Sequence, residues 1–139
     1  MTARVSEFYP RAKAAIGRGP RVPEKIVERC CDQLYASAGC EVVRFSQARA
    51  TQQTPGIPDR KVYHRPSGCT FWFEVKAQGG QQSKHQRAFQ AMAEACGETY
   101  VLGGLEAAEA QLIAMGLARR DGRTFTLTPG GWRERAVAS

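Results

Sequence analysis

The chain has 139 residues, 42% of them apolar and 24% charged, which suits one compact domain with a real core. Twenty Lys and Arg against thirteen Asp and Glu leave a formal charge of +7, and such a balance favours a polyanionic partner, because basic surfaces gain binding free energy by releasing counterions from nucleic acid. No stretch approaches the roughly 20 apolar residues of a bilayer-spanning helix, and the five cysteines form no C-x-x-C pair, so neither a zinc knuckle nor a dithiol redox motif is expected.

Residues 1–22 carry Arg4, Arg11, Lys13, Arg18 and Arg21 against Glu7, with Pro10, Gly17, Gly19 and Pro20 interrupting any long element. They are expected to form a flexible basic arm with at most a short helix over 8–16. From Pro23 the pattern turns helical. Proline fits a first turn, Glu24 and Glu28 suit the dipole, and Ile26, Val27, Cys30, Cys31, Leu34 and Tyr35 recur at helical spacing until Gly39. A strand is expected over 41–45 and a polar loop over 46–55. Two strands, 59–64 and 70–77, flank Arg65-Pro66-Ser67-Gly68, which is hairpin punctuation. Ser83 and Gln86 form an S-x-x-Q capping box opening a helix whose apolar face is Phe89, Met92, Ala93 and Cys96. A buried strand over 99–102 and a helix over 105–115 complete a core of residues 23–116. Residues 117–139 are expected to add a basic β-hairpin turning at Asp121-Gly122, followed by a tail with Arg133 and Arg135. Cys30, Cys31, Cys69 and Cys96 stand in apolar or helical contexts as small hydrophobes, so a reducing cytoplasmic setting is expected.

The first hairpin carries the chemistry. With Pro66 and Ser67 as its two tip residues, Asp59 lies directly across from Glu74. Like charges so opposed destabilise a sheet, and a divalent cation between them removes the repulsion; magnesium commonly uses one or two carboxylates plus water and substrate phosphate. A three-residue turn would slip the register by one and separate the two. Along the second strand Phe71, Phe73 and Val75 share one face, and Trp72, Glu74 and Lys76 share the other. Glu74 and Lys76 alone make an equally good ion pair; the opposed Asp59 favours a metal site. A carboxylate-held ion lowers the pKa of bound water, and a nearby lysine stabilises charge building on a scissile phosphate.

Gly56-Ile57-Pro58-Asp59, followed by Phe73-Glu74-Val75-Lys76, resembles the PD-(D/E)xK nuclease superfamily, and more narrowly its VRR-NUC group. That group orders a helix with E-x-x-apolar-Q, a G-x-P-D turn, an E-V-K strand and a helix with S-x-x-Q. Here Glu24 to Glu28, Gly56 to Asp59, Glu74 to Lys76 and Ser83 to Gln86 stand in that order, covering about residues 23–115. The resemblance implies an α/β, restriction-endonuclease-like mixed sheet flanked by helices. It implies Mg2+ or Mn2+ held by Asp59, Glu74, the Val75 carbonyl and Glu24, with Lys76 catalytic and Gln86 supporting. A glutamate at position 28 replaces the group's usual glutamine, so Glu24 and Glu28 both remain candidates. Arg60 replaces a commoner apolar residue, as a DNA contact or on an edge-facing strand. Gln86 is explained equally well as a helix cap, and His85 reads as ordinary surface.

Small stand-alone, phage-type relatives of that group imply an endonuclease acting on branched, Holliday-junction-like DNA as a homodimer, in a bacterial or phage-infected cytoplasm. Arg60, Lys84, Arg119, Arg120 and Arg123 are the candidate nucleic-acid contacts. Two other readings stay open. The C-terminal hairpin resembles the wing of winged-helix proteins, so the chain could bind DNA without cutting it; or it is a restriction- or repair-type endonuclease on the same scaffold.

Overall fold

The computed structural model describes residues 22–45 and 54–128. The expected short helix over 8–16, the basic arm up to residue 21, positions 46–53 of the polar loop, and Arg133 and Arg135 lie outside those residues.

Helix α1 (Glu24–Ser37) is followed by β1 (Glu41–Arg44), β2 (Arg60–His64), β3 (Cys69–Val75), α2 (Lys84–Ala95), β4 (Tyr100–Gly103), α3 (Leu105–Ala114), β5 (Ala118–Asp121) and β6 (Thr124–Leu127). The first four strands form one mixed sheet in the order β1-β2-β3-β4. β1 with β2 and β2 with β3 pair antiparallel, and β4 runs parallel to β3. A parallel neighbour requires a crossover, and α2 supplies it.

The two sheet faces are unequal. Val62, Phe71, Phe73 and Val75 face a core built with Val27, Cys30, Cys31, Leu34 and Tyr35 of α1 and Leu105, Ala108 and Leu112 of α3. Tyr35 meets Phe71 and Phe73 edge-on, with centroids 5.4 and 5.1 Å apart, an arrangement aromatic quadrupoles favour. On the opposite face Trp72 meets Phe89 of α2 at 5.0 Å, also edge-on. That face is thinly covered. Ala93 is the buried residue of α2, and Met92 is 55% exposed. The apolar face expected over Phe89, Met92, Ala93 and Cys96 is therefore only partly buried, with Met92 and Cys96 exposed. Cys69 and Cys96 are exposed, whereas Cys30, Cys31 and Cys40 are buried.

β5 and β6 pair antiparallel as a separate two-stranded sheet, with Asp121 opposite Thr124. Gly122 and Arg123 are thus the tip residues, one position beyond the expected Asp121-Gly122, and Gly122 takes the positive φ (58°) that such a tight turn demands. Leu117 and Ala118 belong to the main core, with Phe125 and Leu127 packed against it. Val22, assigned to the arm, also packs on the core. Among the described residues no helix is long and apolar enough to cross a membrane.

Candidate active site

The hairpin register decides whether Asp59 and Glu74 meet. Arg60 pairs with Phe73, Lys61 with Trp72, and His64 with Cys69. The ladder ends at Arg60 opposite Phe73, so Asp59 and Glu74 each stand one residue beyond it. The loop spans four residues, 65–68, closed by Gly68 N–H donating to the His64 carbonyl at 3.0 Å. It has the same centre as the expected two-residue tip, so the pairing is unchanged.

Asp59 is aimed by the turn that precedes it. Ile57 N–H donates to the Thr54 carbonyl at 3.2 Å, and Gly56 has φ 82°. Proline followed by a positive-φ glycine is the type II pattern. A Cβ at Gly56 would stand 2.2 Å from the His85 carbonyl oxygen, so the turn packs backbone to backbone on the start of α2. Pro58 is fully buried behind it. Phe45 N–H donates to the Asp59 carbonyl at 3.0 Å, extending the β1–β2 ladder by one residue. β2 lies inside the sheet, and the Val75 N–H that faces it would be left over where β2 begins. Asp59 Oδ2 accepts that hydrogen bond at 3.2 Å.

Glu74 is 0% exposed. Its Oε1 accepts from the Tyr100 hydroxyl at 2.9 Å, and its Oε2 is buried without a hydrogen-bond partner. Such an acceptor costs free energy unless something completes it. Burial raises the pKa of Glu74 above the usual carboxylate range, against the Tyr100 hydrogen bond and the Lys76 charge, which lower it. Burial likewise raises Asp59, opposed by the Val75 N–H and by the charges of Arg60 and Lys76. Asp59 also raises Glu74, and the charge of Glu24 raises Asp59. Two desolvated acids share one end of the sheet, with one ammonium acting on both.

Glu24, on the first turn of α1, reaches the same end, where its Oε1 accepts from Ala77 N–H at 3.4 Å. Glu28 lies 3.6 Å from Arg60 Nη1. Of the two helical acids, then, Glu24 reaches the end of β3, while Glu28 is engaged by an arginine. Among the described residues no three His, Cys, Asp or Glu side chains gather as a metal cage.

Several expected contacts are elsewhere. Arg60 is 4% exposed and grips Asp32 with Nε and Nη2 at 2.6 and 3.0 Å. It is an internal clamp between β2 and α1, neither edge-facing nor open to DNA. Gln86 caps α2: its Oε1 accepts from Ser83 N–H at 2.7 Å while its own N–H donates to Ser83 Oγ at 3.1 Å. Arg120 Nη2 lies 2.6 Å from Oε1 of buried Glu109, and Arg119 Nε lies 3.6 Å from Asp121 Oδ2; both arginines are exposed. Lys84 and Arg123 are exposed as well. Comparison with protein-family models, with curated proteins and with solved structures finds no match.

Two site residues escape sequence reasoning. Tyr100 reads as a core strand residue, and Gln82 as loop. Tyr100 reaches Glu74 because β4 runs parallel to β3 with Trp72 opposite Tyr100. Gln82 Nε2 donates to Gln90 Oε1 at 3.0 Å and to the Tyr100 oxygen at 3.4 Å, and it also favours the charged form of Glu74. Only a register set across a helical crossover would reveal them.

Proposed function

We propose that this chain is a divalent-metal-dependent nuclease that hydrolyses phosphodiester bonds, on a restriction-endonuclease-like fold of the VRR-NUC type. The observation that carries the reading is the buried Oε2 of Glu74, which has no hydrogen-bond partner, with the charges of Asp59 and Lys76 acting on the same carboxylate. An orphaned acid oxygen and a second carboxylate make a hard-oxygen donor set that fits Mg2+ or Mn2+. Asp59 and Glu74 would hold the ion, with the Val75 carbonyl and Glu24 at the same end of β3. When bound, that ion supplies Lewis acidity toward a phosphate oxygen and a water of lowered pKa.

The chain's own groups do the rest. Val75 N–H fixes the rotamer of Asp59, and the Tyr100 hydroxyl fixes Glu74, so the acids are oriented before substrate arrives. Lys76, whose charge acts on both acids, stands ready to stabilise negative charge growing on the phosphate oxygens. DNA is the proposed substrate, branched forms foremost, cut by a homodimer. The net charge of +7 supports a nucleic-acid partner.

The test is a cleavage panel of Holliday junction, flap, splayed arm, duplex and single strand, in magnesium, manganese or chelator. Metal-dependent products that disappear with Asp59→Asn are expected. Tight DNA binding without products under every metal would leave a binding module instead.

A further inference from the structure

A cleft of about 690 Å³ opens past the end of β3, lined by Lys76, Gln78 and Gln81 after β3, by Leu102 of β4, and by Val27 and Leu105 of the two core helices. Its size is that of a small-molecule site, roughly 300–1,000 Å³. Gln82 ties the cleft to the acids, since it lines the cleft and donates to the Tyr100 hydroxyl that holds Glu74. Lys76, two residues past Glu74, lines the cleft as well.

We infer that the cleft receives one unpaired nucleobase of the strand being cut, so that cleavage requires an unstacked nucleotide beside the scissile phosphate; this rests on the nuclease reading above. Three features of the lining select a base. Val27, Leu102 and Leu105 offer apolar walls for flat ring faces. Gln78 and Gln81 each bring a donor and an acceptor, which matches the mixed polar edge of any base. Lys76, Arg87 and Glu106 also line the cleft, a net charge of +1 that suits a base together with the phosphate it carries. A paired base cannot enter, because its edge faces the partner strand; it must be flipped or already single-stranded. The base goes in and the phosphate stays beside Lys76.

The experiment uses the full chain and a labelled duplex with one unpaired nucleotide, compared with an abasic version lacking only that base. Fluorescence anisotropy with calcium in place of magnesium reads binding, and product formation in magnesium is read separately. Loss of the base is expected to weaken binding about tenfold or more, and Leu102→Trp, which fills the cleft from a 37% exposed position, to erase the difference between the two duplexes. Gln81→Trp, at an exposed loop position, serves if Leu102→Trp fails to fold. Equal affinity of both duplexes for the unmodified chain overturns the inference, as does micromolar displacement by free adenosine monophosphate without any abasic penalty, which assigns the cleft to a free nucleotide. Absence of products in magnesium counts against the nuclease reading alone and leaves the binding comparison intact.

Discussion

At the residue scale, two acids are held in a costly state. Because burial raises the folded-state pKa of Glu74 and Asp59, each favours folding most when protonated. Their contribution is full below the ordinary carboxylate pKa and is lost as pH rises through the raised folded value. In chelator, the melting temperature is therefore expected to fall with rising pH across a window that starts in the usual carboxylate range and extends above it. Glu74→Gln should flatten that fall and raise the neutral-pH melting temperature, read by thermal melts across pH. Lys76→Ala should lower kcat about 10²–10³-fold, as loss of a preorganised charge at a developing anion does, with substrate affinity little changed in single-turnover kinetics.

The register of the first hairpin was legible in the sequence, because the punctuation around Pro66 sets it locally. Arg60 was not legible. Its partner Asp32 lies 28 residues away on α1, and a charged residue in a strand reads as exposed unless that partner is known. Tyr100 and Gln82 stayed hidden for the same reason, since parallel pairing across α2 is a non-local event.

At the element scale, the turn before β2 and the start of α2 form one unit. Gly56→Ala places a Cβ against the His85 carbonyl and forces a side chain into positive φ. It is expected to destabilise by more than about 1 kcal/mol and to reduce cleavage by misplacing Asp59. Ser83→Ala removes the acceptor for Gln86 N–H, and should cost about 1 kcal/mol in denaturant unfolding while leaving kcat near normal, because that cap does not touch the acids. The element order, the capping box and most boundaries followed from periodicity and punctuation. The thin cover by α2 did not, because an apolar stripe such as Phe89, Met92 and Cys96 does not state the width of the sheet below it.

At the scale of the whole molecule, one end of a four-stranded sheet collects groups from α1, β2, β3 and β4. The core helices on one face make the fold stable without that end being comfortable. Such a division is common where strain is concentrated at a functional site and offset elsewhere. Charge belongs to this scale too. If Lys84, Arg119 and Arg123 neutralise phosphates, replacing all three by Ala should flatten the slope of log K against log salt by about 0.9 for each phosphate no longer neutralised, measured by anisotropy over a salt series. An unchanged slope would remove them from the interface.

The carboxylate pair is tested most directly by calorimetric titration of Mn2+ into metal-free protein at neutral pH, beside the same titration of Asp59→Asn and Glu74→Gln. Saturable binding to the unmodified chain is expected, accompanied by a rise in melting temperature, with both absent in both variants. Equal binding by the variants, or none by the unmodified chain with DNA present or absent, would rule out a metal held between these two acids.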